Sequence, residues 1–274
     1  WAENVLGYLS ASNDLCKKRN IPFEDLWKGN SRHYYVHGKD NIPFHTIILP
    51  SLLLAHGQNL HLPDDIISNE HLTLEGRKIS TSKNWAIWAK DIVKEYNPDT
   101  IRYFLIANGP EKRDTDFTWF EFTERNNSEL LGIYGNFVNR TLLFIKKYLN
   151  NTVPEGNADK DIQKLINNTY ISVGEKIESG RLKEALQEVI SLVRYGNKYY
   201  DTKEPWKTRT SNIKECDNTI YNCTQIIANV AVLFKPFIPF SSDKVLSWLD
   251  LSDDWKIKKV KEGYTLPEIS ILFE

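Results

Sequence analysis

Over the first seventy positions, apolar residues fall into short β-prone runs at 33–37 and 65–68, with a longer stretch at 42–55 whose apolar positions recur at helical spacing. That alternation predicts a layered α/β arrangement, here a partial sheet. The segment 72–84 carries a Glu75-Gly76 turn followed by Ser80, Thr81 and Ser82, which predicts a hairpin-like turn leading into an exposed, mobile loop. From Trp85 the helical spacing returns, with a helix start at Pro98, Asp99 and Thr100. Beyond about 128 the pattern becomes long amphipathic helices, expected at 129–149, 160–179, 182–200 and 218–234, with a last one at 241–250. Gly180, Pro205, Pro236 and Pro239 break the stretches between them, so the helices fold back on one another as a bundle. The expected domains are therefore 1–70, 71–127 and 128–274.

Bulk properties narrow this picture only modestly. At 274 residues the chain is long enough for two or three ordinary domains. Its longest apolar stretch, interrupted by Pro50, falls well short of the roughly 20 residues that cross a bilayer. Three cysteines, Cys16, Cys216 and Cys223, lack paired Cys-x-x-Cys spacing, which argues against a disulfide framework or a thiolate zinc site and for a reducing, cytoplasmic setting. A formal net charge of −1 gives no global pull toward nucleic acid, so an RNA partner would be held by local basic and aromatic groups. The chain opens at Trp1 and contains no methionine, and is read as a piece of a longer product whose missing part lies upstream.

Three places carry candidate chemistry. The loop from Lys78 to Ser82, flanked by Arg77 and Lys83, sets cations and hydroxyls beside a glycine, which suits a polyphosphate in transfer and equally an ordinary basic surface turn. His37, Gly38, Lys39 and Asp40 stand between a β-prone run and a helical one. Gly38 there could admit a ligand against the backbone while the Asp40 carboxylate accepts from ribose hydroxyls, or Asp40 could simply favour a helix start. His45, on the apolar helix, suits either a packed histidine or the wall of a small-molecule pocket.

Taken together and in order, these segments resemble the methionyl-tRNA synthetases over nearly the whole length. The stretch from Trp1 to Ser12 looks like the strand and helix that wall the family's methionine pocket, with Tyr8 its key residue. Gly38, Lys39 and Asp40, followed by Pro43, His45 and Pro50, are similar to the family's Gly-Lys-Asp segment, and the loop at Lys78 resembles the Lys-Met-Ser-Lys-Ser signature of class I synthetases. Residues 98–105 and 113–117 resemble the stem-contact region. Asn136 and Arg140 resemble the anticodon-reading helix, and Glu204, Pro205 and Trp206 the turn whose indole stacks on an anticodon base.

The resemblance implies a partial Rossmann-type (class I synthetase) α/β domain, a stem-contact region and an all-α anticodon-binding bundle. It implies ATP-dependent attachment of methionine to tRNA(Met) through methionyl-adenylate. Lys78, Ser80 and Lys83 are then the catalytic loop; Gly38, Asp40, Leu72 and Lys78 bind ATP; Trp1, Tyr8 and His45 bind methionine; and Asn136, Arg140 and Trp206 bind the anticodon. ATP enters with Mg2+ as substrate, no metal ligands are expected in this segment, and any zinc belongs to the missing upstream part, as does a His-x-Gly-His motif; the segment alone is expected to form adenylate poorly. The pairing of Asn136 with Arg140 fits recognition of single-stranded RNA, because residues four apart share a helical face and splayed bases are read by stacking and amide or guanidinium donors. Departures are Thr81 in place of the loop's second lysine, Leu49 where an aromatic is common, and Asn4 and Val5 in place of an Ala-Pro pair. They leave two other readings open, a noncatalytic tRNA-binding module and a class I synthetase for another aliphatic amino acid.

Overall fold

Successive residues of an extended run face opposite ways, so Tyr35 and His37 share one face of the first β-prone run and Tyr34 and Val36 the other. In the computed structural model, which describes residues 2–273, that run is β1 (Tyr34–Gly38), and it pairs in parallel with β2 (Asp65–Asn69), Tyr35 opposite Ile66 and His37 opposite Ser68. Parallel strands need a crossover. Here it contains a 3-10 turn (Lys39–Asn41), a wide π-helical turn (Phe44–Ile48) and a helix. The expected helix at 42–55 is thus present with a wide first turn, because Pro50 has no N–H to offer the carbonyl of Thr46. Helices α1 (Gly7–Arg19) and α2 (Phe23–Trp27) precede the strand, and α3 (Leu49–His56) is the helix of the crossover. No strand forms ahead of α1 among the described residues; Ala2–Leu6 is a 3-10 turn, the local solution for a short segment without a ladder partner. Val5, Trp27, Tyr35, Leu49, Leu53 and Leu60 make a small core.

Contacts gather into two units, Trp1–Thr73 with Pro110–Thr115, and Leu74–Gly109 with Asp116–Glu274. A short sheet of order β4-β3-β5 comprises β3 (Leu72–Leu74), β4 (Arg77–Lys78) and β5 (Thr115–Phe117). Glu75 (φ 49°) and Gly76 (φ 71°) make the expected two-residue hairpin turn, which needs positive φ at both positions. Helices α4 (Ala89–Glu95) and α5 (Pro98–Ala107) follow, the latter capped by the Asn97 side chain, which accepts from the amide of Asp99.

The bundle begins earlier than the pattern predicts. Helix α6 (Trp119–Arg125), a π-helical stretch (Asn126–Gly135) and α7 (Asn136–Tyr148) run on without a break, started by Thr118, whose hydroxyl accepts from the amide of Glu121. Then come α8 (Lys160–Glu178), α9 (Leu182–Lys203), α10 (Pro205–Ser211), α11 (Ile213–Phe234) and α12 (Pro239–Trp248). Helix α10 was not expected: Glu204 takes a left-handed conformation (φ 46°) and Pro205 pre-sets the first turn. Helix α11 starts ahead of the expected 218 because the Asn212 side chain accepts from the amide of Glu215.

Every residue from Thr219 to Phe234 is buried, so α11 is the axis of the bundle. Its buried amides are satisfied by an extended C-terminal segment. Gln225 donates to the carbonyl of Val260 and accepts from its amide, and Asn229 does the same with Lys258. Helix α5 is clasped at both ends of the α11–α12 corner: the buried Asp99 carboxylate accepts from the amide of Ser241 at the start of α12, and Arg102 donates to the carbonyls of Pro236 and Phe237. Within α9, Gly196 lets the Phe137 ring of α7 come so close that an added Cβ would meet it at 2.5 Å. That approach brings the polar edges of α7 and α9 within reach of one another.

Candidate functional site

In the first unit, alternation along β1 and the i, i+4 step from Asn41 to His45 build an aromatic nest. The buried His45 ring is bonded at Nδ1 to the carbonyl of Asn41 (2.9 Å) and at Nε2 to the hydroxyl of Tyr8 (2.9 Å). A carbonyl only accepts, so Nδ1 carries a proton. Tyr35 lies edge-on to Tyr8 (5.2 Å between centroids) and His37 stacks on His45 (4.3 Å). Burial pushes the Tyr35 phenol up to about 12, so it stays protonated. Tyr8 remains 42% exposed. Polarisable sulfur is favoured at about 5 Å from aromatic rings, and this cluster offers such contacts. Tyr8 and His45 are thus brought together as expected. Tyr35 was not named from the sequence, and His37 only as the head of the segment that runs to Asp40, although the period of two along β1 carries the signal. Trp1 lies outside the described residues, and Leu49 is packed in the small core that also holds Tyr35.

Beside β1, Lys39 donates to Glu70 (2.5 Å) and Asp114 (3.2 Å), which raises its pKa. Asp114 is held below the usual carboxylate range, chiefly by the backbone amide of His71 and then by Lys39. With Lys39 so engaged, Asp40 faces solvent, its side chain 80% exposed and 4.0 Å from the His71 ring. A side chain added at Gly38 would meet nothing within 4 Å, so the backbone there is open to a ligand. Leu72 is half-buried at the start of β3.

The signature loop, in the second unit, is a closed turn: Ser80 and Trp85 exchange two backbone hydrogen bonds of 2.9 Å, and the amide of Asn84 donates to Thr81. The loop is exposed, as expected, and is closed at its base by this bridge. The Trp85 indole donates to the carbonyl of Leu74, and Arg77 lies over that indole at 4.8 Å. Lys78 and Lys83 are exposed, and among the described residues neither has an ion-pair partner. Ser80 and Ser82 share a hydrogen bond of 3.1 Å. Among the described residues no three His, Cys, Asp or Glu side chains gather as a metal-holding group, and no helix is long and apolar enough to cross a membrane.

In the same unit, α7 and α9 border a cleft of about 590 Å³ lined by Asn136, Arg140, Arg194, Asn197, Lys198 and Asp201, among others. Arg140 donates to the Asp201 carboxylate (2.7 Å) and to the carbonyl of Asn197 (2.6 Å), and its guanidinium lies 4.1 Å over the Tyr200 ring. Two buried atoms here have no partner, the donor Nε of Arg140 and the acceptor Oδ1 of Asn197. Trp206 is 43% exposed and stacks on Tyr200 at 5.8 Å. Asn136 and Arg140 thus share the cleft and Trp206 is linked to Arg140 through Tyr200, while Asn197, Tyr200 and Asp201 were not foreseen. They lie on the next helix over, a relation no spacing within α7 reveals.

Residues 1–142 match the family model described as tRNA synthetases class I (M), and residues 151–269 match the anticodon binding domain of methionyl tRNA ligase. Among curated relatives, methionine–tRNA ligase 1 of Alkaliphilus oremlandii is 49% identical over 275 residues, covering 100% of this chain and 51% of the relative. Methionine–tRNA ligase of Bacillus mycoides is 53% identical over 249 residues, covering 91% and 46%. The chain thus spans about half the length of the curated relatives it matches. A solved Mycobacterium tuberculosis methionyl-tRNA synthetase bound by methionyl-adenylate superposes with a TM-score of 0.80 at 22% identity, covering 88% of this chain and 50% of that one, a likeness in fold.

Proposed function

The chain belongs to the methionyl (M) group of class I tRNA synthetases, and from that premise we propose that it serves ATP-dependent attachment of methionine to tRNA(Met), with anticodon recognition by its bundle. The observation that carries this reading is the half-exposed Trp206 indole stacked on Tyr200, the same ring over which the Arg140 guanidinium lies. A nucleobase has both a π-face for the indole and an edge that amide and guanidinium groups read.

In the proposed reaction the methionine carboxylate attacks the α-phosphorus of ATP and pyrophosphate leaves. A hydroxyl of the tRNA's terminal ribose then attacks the acyl carbon of the adenylate and AMP departs. Neither step needs a protein nucleophile; positioning and charge stabilisation suffice. Tyr8 and His45, with Tyr35, are assigned to the methionine side chain, and Trp1 is assigned there by the family resemblance. Gly38, Asp40 and Leu72 are assigned to the adenosine of ATP, which enters as its Mg2+ complex. Lys78, Ser80 and Lys83 are assigned to the transferring phosphates, with Thr81 leaving that set one cation short of the family pattern. The three segments 1–70, 71–127 and 128–274 then divide the work into catalysis, signature loop with stem contact, and anticodon binding, in a cytoplasmic enzyme.

The test is binding of an RNA hairpin with a CAU loop, measured against the same hairpin with the loop scrambled. We expect the CAU loop to bind at least tenfold tighter, one good base contact being worth about that much. Equal affinity for the two loops would overturn the reading.

A further inference from the structure

We infer that Tyr200 is a positioning residue for anticodon recognition, a single buried ring that holds Arg140 and Trp206 in their reading geometry before RNA arrives; this rests on the function proposed above. Tyr200 is 5% exposed, so it presents little surface to a ligand itself. It touches both groups that would. The Arg140 guanidinium lies 4.1 Å from its ring centroid, and the Trp206 ring stacks on it at 5.8 Å with 30° between planes.

The in-plane orientation of Arg140 is set separately, by the Asp201 carboxylate and the carbonyl of Asn197. Those two bonds leave the guanidinium free to swing out of its plane, and the ring beneath it removes that freedom. Trp206 sits at the second position of a seven-residue helix and depends on the turn before it. The Tyr200 carbonyl accepts from the amide of Glu204, which closes that turn in its left-handed conformation. Backbone and side chain of one residue thus anchor the platform from two sides. An arginine and an indole left to find their orientation on binding would each lose rotational freedom at that moment, weakening the complex; groups already held lose less.

The ring itself is what the arrangement requires. An electron-rich face attracts a cation through its quadrupole, and this attraction is shared by tyrosine and phenylalanine. Burial raises the phenol to about 12, so no phenolate exists near neutral pH and Arg140 is held by the ring face without ion pairing to the hydroxyl.

The experiment measures Kd for the CAU hairpin and for its scrambled counterpart with the wild-type chain and three variants. Tyr200→Phe is expected to stay within about twofold of wild type. Tyr200→Leu is expected to lose roughly tenfold for the CAU loop and little for the scrambled loop, because two anchors must then be ordered on binding. Pentafluorophenylalanine at position 200 keeps the shape and reverses the quadrupole, and is expected to lose affinity likewise; its near-native shape keeps the test decisive even where Tyr200→Leu fails to fold. Wild-type affinity for the CAU loop in either the leucine or the fluorinated protein would overturn the role of Tyr200 and leave the function standing. Failure of the wild-type chain to prefer the CAU loop would instead strike the function itself.

Discussion

The aromatic nest of the first unit and the proposed RNA platform of the second are both clusters of rings and polar groups, yet they are assembled differently. In the nest, three of four rings come from a stretch of eleven residues, Tyr35 to His45, ordered by the periods of strand and helix, and only Tyr8 arrives from elsewhere. The platform draws Asn136 and Arg140 from α7, Asn197, Tyr200 and Asp201 from α9, and Trp206 from α10. Its supporting core is the large cluster around α11, whereas the nest rests on the small one around Leu49. A locally coded site tolerates a modest core; a site built from three helices demands a rigid one, because a small shift of any helix separates its parts.

Substitutions that empty one core and spare the other test this contrast. Phe137→Ala should cost about 3–5 kcal/mol, since the ring is fully buried against Gly196 and the backbone of α9 cannot collapse onto the void. Hydrogen exchange should report the loss in α7, α9 and α11 while the amides of β1 keep their protection; a parallel loss in β1 would mean the two units unfold together. Leu49→Ala should show the converse at about 2–5 kcal/mol, with exchange accelerated in β1 and α3 and little change in α11.

The smallest effect concerns the segment strapped over α11. Asp254 pairs with Lys258, Ser252 and Lys256, and these bonds, Lys258 first, hold its carboxyl far below the ordinary range. A depressed native pKa favours the folded state at pH values above the unfolded carboxylate pKa of about 4, and this contribution fades as pH falls from there toward the native value. Thermal melts from pH 6 to 2 should therefore show Asp254→Asn losing less stability to acid than wild type. Identical acid slopes for the two proteins would show that the strap owes nothing to this carboxylate.

Much of this was legible from residue order. Period two in β1, period 3.6 from 160 onward, and the positive-φ turn at Glu75 and Gly76 each follow from local sterics and local hydrogen bonding, which a sequence states directly. The early start of the bundle at Thr118 and the cap at Asn212 were also written locally, as side chains that accept from amides three residues on, though apolar periodicity alone passed over them.

What residue order determined, then, is the kind of each element and the chemistry it carries: an imidazole at 45, cations around 78, an amide, a guanidinium and an indole at 136, 140 and 206. Tertiary structure decided which of these meet. Tyr200 reads in the sequence as one more apolar position of α9, and it becomes a bracket between Arg140 and Trp206 only because Gly196 lets two helices approach and a left-handed Glu204 turns the chain back. Such contacts depend on distances between elements far apart in sequence, and those distances are set by how side chains fill a shared core.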